Sequence, residues 1–203
     1  MPVALPTIET FARRPRDALM RIPRAIDLAR IRAALAVAGP RVIDVGAGTG
    51  LLAKLLDANV EAIDPTPPRV RYHDVGSNAG HMIYDAAIVS WMEAGKDYRA
   101  DVARLAPVVI NAYDVEGGCG IKGDVSFAGY GYAEATTWRT PSFEDAQYAI
   151  EHRGALKRRG YPGNRIDVLS RAPALVEPLR VAVEGARAGA PLPWEREMDA
   201  LGL

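Results

Sequence analysis

Apolar residues along the chain recur first in a helical and then in a strand-like rhythm. Residues 8 to 37 follow the helical one, broken at Pro15 and Pro23. Within "RAIDLARIRAALAVA", Ile26, Leu28, Ile31 and Leu35 form an apolar stripe that Gly39-Pro40 stops. "RVIDV" is then a continuous apolar strand, buried on both faces, and "GLLAKLLDAN" a short helix with Leu51, Leu52, Leu55 and Leu56 clustered. "VEAID" is a second strand, "RVRYHD" a third and "YDAAIVSW" a fourth. "KDYRADVARLA" reads as a helix and "PVVINAY" as a fifth strand. Such β-α-β alternation predicts a doubly wound α/β protein, a mostly parallel sheet with helices on both faces.

After Asp114 the alternation loosens. "EGGCGIKGD" is a Gly-rich loop and "YAEATTWRT" an extended strand. Ser142 and Asp145 make a capping-box start for a helix from about Phe143 to Arg159. "GYPGN" is a turn, "RIDVLS" the last strand, and residues 174 to 189 an Ala-rich amphipathic helix. The end, "GAPLPWEREMDALGL", reads as a Pro-interrupted tail. The expected organisation is an N-terminal helical segment over 1–39, an α/β domain over 40–173, and a C-terminal helix and tail over 174–203. There is no internal repeat.

Composition narrows the classes. A chain of 203 residues, 49% hydrophobic and 25% charged, has enough apolar surface for one core. Lys and Arg balance Asp and Glu at 25 each, so the whole chain is no polyelectrolyte binder. No apolar run has the length of a membrane span, and "MPVALPTIETFARRPRD" does not read as a secretory signal. The single cysteine, Cys119, excludes an intramolecular disulfide. A reducing, cytoplasmic location is expected.

The candidate chemistry lies in "RVIDVGAGTG", where a strand feeds alternate glycines into a helix. In open α/β sheets ligands bind at that carboxyl edge, and glycines there permit positive φ and close backbone approach. A dinucleotide fingerprint wants G-x-G-x-x-G; here the third glycine comes one residue early and position 51 is Leu. A P-loop needs a Lys after its last glycine, and none follows.

"VIDVGAGTG" resembles motif I of class I S-adenosylmethionine-dependent methyltransferases: an apolar strand, an acid, then G-x-G-x-G. Asp64 closes the second strand 20 residues after Asp44, where that family binds the ribose hydroxyls. Asp74 ends the third strand, where a polar group faces adenine. Ser90-Trp91-Met92 stands at the motif IV position beside the transferred methyl. The resemblance covers about residues 40 to 113 well and the rest in outline. It implies a seven-stranded sheet of order 3-2-1-4-5-7-6, with "RIDVLS" as the antiparallel last strand. It also implies S-adenosylmethionine as cofactor, held by Asp44, Gly46, Gly48, Gly50, Asp64, Asp74, Ser90 and Trp91.

Each of these has a plainer reading. Gly46 and Gly48 could make only a tight turn, and Gly50 simply lets the helix pack. Asp44 either meets the methionyl ammonium or is satisfied by loop N–H groups. Asp64 could cap a strand end, and His73 could take the contact expected of Asp74. Trp91 walls the adenine or the substrate, or is core. Asp85 is structural. Tyr113, Asp114 and Glu116 lie at the ligand edge, where one could orient a nucleophile or merely solvate a loop. Cys119 reads as a loop thiol, and Trp138 and Tyr130 as packing residues.

Arg13, Arg14, Arg16, Arg21 and Arg24 form one basic cluster, and Arg153, Lys157, Arg158 and Arg159 another. Either could hold phosphates, but zero net charge disfavours a nucleic-acid partner. No D-P-P-Y or N-P-P-Y follows the fourth strand, which disfavours methylation of a base amino group. His73, His81 and His152 are scattered, so no metal site is expected. The expected function is methyl transfer to an unidentified O or N acceptor, small molecule or macromolecule, with no assignable catalytic base. A non-catalytic module that binds the cofactor or a partner chain is the alternative. A nicotinamide-dependent oxidoreductase is disfavoured by the glycine spacing.

Overall fold

The computed structural model describes residues 23–47, 50–57, 59–63, 82–90, 92, 95–115, 120, 124–141 and 164–201. In chain order the elements are α1 (Ala25–Ala38), β1 (Val42–Val45), α2 (Leu51–Leu56), β2 (Val60–Ile63), β3 (Ala86–Ser90) and α3 (Arg99–Leu105). They continue with β4 (Val108–Asp114), β5 (Ala133–Thr140), β6 (Asn164–Ser170), α4 (Pro173–Gly185) and α5 (Glu195–Leu201).

Six strands make one sheet of order β2-β1-β3-β4-β6-β5. The β1/β2, β1/β3 and β3/β4 pairs are parallel, and β6 is antiparallel to both β4 and β5. The expected α/β sheet, mostly parallel, is therefore present, with "RIDVLS" as its antiparallel strand. The expected third strand, "RVRYHD", lies outside the described residues, so six strands are described. The helix expected from Phe143 to Arg159 and the residues before Pro23 also lie outside them.

The continuous apolar runs sit where two-sided burial requires them. All four β1 residues are buried, as are the first four of β3 and the first five of β4. Alternate side chains enter two cores. Val42, Ala86, Ile88, Val108 and Ile110 meet α1, α2 and α4 on one face. Ile43, Val45, Ala87, Val89 and Val109 meet α3 on the other, together with Phe127 and Tyr132. Each fully buried Leu or Ile contributes about 1.5–3 kcal/mol relative to exposure.

The connections are pinned by polar contacts. Arg32 on α1 donates through Nε to Leu56 O at 3.0 Å and through Nη2 to Leu55 O at 2.6 Å, capping the end of α2. Asp85 accepts from the Arg41 backbone N–H at 3.0 Å and from its guanidinium at 2.6 Å, which holds its carboxyl below the usual range. The structural reading of Asp85 therefore holds. Gly39 makes room for it: at φ 133°, a Cβ there would lie 2.7 Å from the Asp85 carboxyl carbon.

Three sequence expectations need correction. The helix expected over 174–189 ends at Gly185, because Gly185, Gly189 and Pro191 outweigh the alanines between them. Ile26, placed on the apolar stripe of α1, is only half-buried, while Asp27 is buried. The tail is not merely Pro-interrupted. It forms α5, whose Met198 is fully buried, as is Trp194 just before it. Trp194 Nε1 donates to Pro23 O at 2.8 Å, and Arg24 pairs with Asp199 at 3.1 Å. The end of the chain thus closes over the start of α1.

Candidate functional site

The three parallel strand pairs bring the carboxyl ends of β1, β3 and β4 to one edge. Val45 aligns with Val89, and Ser90 with Ala112. Gly46, directly after β1, therefore stands beside Ser90 at the end of β3. Gly46 has φ 78° and Gly50 φ 70°, both left-handed conformations in which an L side chain is strained. Gly50 is the N-cap of α2, and its N–H donates to Ala47 O at 2.8 Å. A Cβ on Gly50 would come no nearer than 3.9 Å to Ala62. Backbone conformation, not the helix packing expected from the sequence, is what calls for glycine there.

Asp44 lies in mid-β1, level with Ala62 and Ile88, and its residue is fully buried. A buried carboxylate in a central strand demands donors or a cation, and this one is next but one to the glycine turn. Of the expected cofactor residues, Gly46 and Ser90 stand at adjoining strand ends, with Asp44 two residues before Gly46 in β1 and Gly50 at the start of α2. Gly48, Asp64, Asp74 and Trp91 lie outside the described residues, as do His73, Glu116 and Cys119.

The loops that follow β3 and β4 are tied together. Gly120 N–H donates to Met92 O at 3.1 Å, and its carbonyl accepts from Gly95 N–H at 2.9 Å. Gly120 has φ 66°, and a Cβ there would sit 2.5 Å from the backbone oxygen of Asp124. Gly120→Ala is therefore expected to cost about 2 kcal/mol through left-handed strain and this backbone clash. Urea unfolding would measure it, and a loss below about 0.5 kcal/mol would count against the assignment. Below this junction Arg99 is held by Asp97 at 2.8 Å and Asp124 at 2.7 Å.

A polar cluster missed in the sequence crosses β4, β6 and β5. Asp167 Oδ2 accepts from the Tyr113 hydroxyl at 2.9 Å, and its Oδ1 accepts from Thr137 Oγ1 at 2.7 Å and Arg165 Nε at 2.6 Å. Arg165 Nη2 reaches Glu134 at 2.6 Å. Burial, followed by the charge of Asp167, raises the Tyr113 pKa well above its ordinary value. The Tyr113 hydroxyl is held as a donor to Asp167. Asp114 ends β4 level with Asn164. The only sequence signal for Asp167 was an acid inside an apolar strand, the same signal that marked Asp44. Beneath the cluster Asn111 Nδ2 donates to Val125 O at 3.1 Å.

Trp138 packs against the core and gives its Nε1–H to Asp27 at 2.8 Å, while Tyr130 lies under Arg99 at 5.8 Å. Both are packing residues, as expected. Among the described residues no group of His, Cys, Asp or Glu could hold a metal ion, and no helix is long and apolar enough to cross a membrane.

Fold and edge together define an α/β protein with a glycine turn at the carboxyl end of β1, an interior strand of its sheet. No family model, curated protein or solved structure matches the chain.

Proposed function

We propose that the chain binds S-adenosylmethionine at the edge beyond β1 and transfers its methyl group to an O or N acceptor. One observation carries the reading: antiparallel β6 lies between β4 and β5, in a sheet whose interior strand β1 is followed by left-handed Gly46. This order agrees with the 3-2-1-4-5-7-6 order that the methyltransferase resemblance implies, without its third strand, whose sequence candidate lies outside the described residues. A bare backbone beside a buried acid fits a sulfonium amino acid with a charged ammonium. Gly46 would allow close approach, Asp44 would favour the ammonium, and Asp64 and Asp74 would take the ribose and adenine contacts. Gly48, Gly50, Ser90 and Trp91 complete the proposed cradle.

The cofactor when bound supplies an already activated methyl group. The chain then has to align the acceptor and exclude water, and a base is needed only for an acceptor that must lose a proton. The absence of D-P-P-Y or N-P-P-Y after the fourth strand, and the Tyr113 hydroxyl given to Asp167, favour as a second reading a module that binds the cofactor without catalysis. Either would act in a reducing compartment such as the cytoplasm.

Calorimetric titration with S-adenosylmethionine, S-adenosylhomocysteine and NAD tests this. Binding of both adenosyl ligands at about micromolar Kd, with NAD at least about tenfold weaker, is expected. No heat with either adenosyl ligand would remove the cofactor assignment. Equal binding by Asp64→Ala would remove the ribose assignment alone.

A further inference from the structure

A cavity of about 320 Å³ lies on the α3 face of the sheet, over β4, β6 and β5. That volume, at the small end of ligand sites, accommodates one ring with a short chain. Phe127 and Tyr132 form one wall, packed edge to face with centroids 5.5 Å apart, and Leu169 adds apolar surface. The polar lining is made of Asn111, Asp167, Glu134 and Asp124, with Tyr113, Ser126 and Arg165.

This lining leans towards acceptors, with Asp124, Glu134 and Asp167 against the donors Arg165 and Ser126. Asn111 is 1% exposed, and only its NH2 group can face the Val125 carbonyl. Its Oδ1 is therefore left as an acceptor, buried and without a hydrogen-bond partner. Such an orphan costs about 1–3 kcal/mol unless a donor reaches it. The Tyr113 hydroxyl is already given to Asp167. Arg165 is shared by Asp167 and Glu134, and Arg99 by Asp97 and Asp124. Arg171 stacks 5.2 Å from the centre of the Tyr132 ring. Of the residues that line the cavity, three are carboxylates, Asp124, Glu134 and Asp167, and one is a guanidinium, Arg165. The carboxylates of Glu134 and Asp124 stand at its rim, half-exposed, and keep acceptor capacity on their other oxygens.

We propose that this cavity binds a small organic ammonium ion with an aromatic or aliphatic body. The body lies against Phe127, Tyr132 and Leu169. The N–H donors meet the Asn111 amide oxygen and the rim carboxylates. Carboxylates beside an apolar wall suit a cation with an apolar body better than its neutral isostere. The site is distinct from the glycine turn, and its occupancy does not depend on S-adenosylmethionine.

The test is calorimetric or ligand-observed NMR titration of the full chain, without adenosyl ligand, using phenethylamine at neutral pH. Neutral 2-phenylethanol and anionic phenylacetate serve as matched probes. Saturable phenethylamine binding at about 1 mM or tighter is expected, with both matched probes at least about tenfold weaker. Glu134→Gln, on the surface and tolerated by the fold, should weaken phenethylamine at least about fivefold. Asn111→Leu should do so as well, with circular dichroism confirming its fold. Absence of saturable binding, equal affinity for the three probes, or unchanged affinity in Glu134→Gln would each overturn the proposal. None of these outcomes bears on the adenosyl titration.

Discussion

Asp27→Ala is expected to destabilise the protein by about 3 kcal/mol, the largest effect of any single truncation considered. Asp27 is 3% exposed, in the first turn of α1. Its Oδ1 accepts from Trp138 Nε1 at 2.8 Å, and its Oδ2 accepts from Thr140 Oγ1 at 2.8 Å and the Arg24 backbone N–H at 2.8 Å. One carboxylate thus starts a helix and fastens it to edge strand β5. Truncation strands three donors, two of them on β5, and leaves a small void between helix and sheet. Urea unfolding followed by circular dichroism should show a lower midpoint with an unchanged slope. In a chain of 203 residues the melting temperature should fall by about 6–12 °C. Asp27→Asn should lie between, because its NH2 cannot accept. A loss under about 1 kcal/mol in the alanine variant would show that the triple contact is not what joins α1 to β5.

Gly46→Val is expected to weaken S-adenosylhomocysteine binding by at least about 30-fold, or about 2 kcal/mol. At φ 78° a β-branched residue pays left-handed strain of about 1–2 kcal/mol and forces the turn out of its path. It also places a side chain where the backbone is proposed to meet the ligand. Gly189→Val is the control, since a Cβ there meets nothing within 4 Å. Calorimetry on both variants separates the site from general destabilisation. Wild-type affinity in Gly46→Val would place the cofactor elsewhere or nowhere.

The strands were legible because two-sided burial leaves a mark that survives in one dimension. "RVIDV", "YDAAIVSW" and "PVVINAY" contain β1, β3 and β4, whose alternate residues fill opposite cores. "YAEATTWRT" alternates less cleanly because β5 is an edge strand with a register shift between Glu134 and Thr136. The glycine turn was legible too, since alternate glycines after a strand have few uses, and Gly46 and Gly50 do take positive φ. Gly120 was seen only as part of a loop. Its requirement arises from the Asp124 carbonyl, a neighbour that composition does not reveal. The cavity was missed because its acceptors come from three strands and a loop.

By itself the sequence determined the alternation of strands and helices, the parallel core and the glycine turn. Each depends on residues close in the chain, through burial period and permitted φ. Tertiary structure alone decided that Asp27 is a buried junction and not a surface acid of an amphipathic helix. It also decided that Asp167 gathers Tyr113, Thr137 and Arg165, and that Trp194 returns to Pro23. Those contacts join groups far apart in the chain. A buried polar atom is stabilised by whichever donor or acceptor the packed elements bring to it, and local pattern carries no record of that partner.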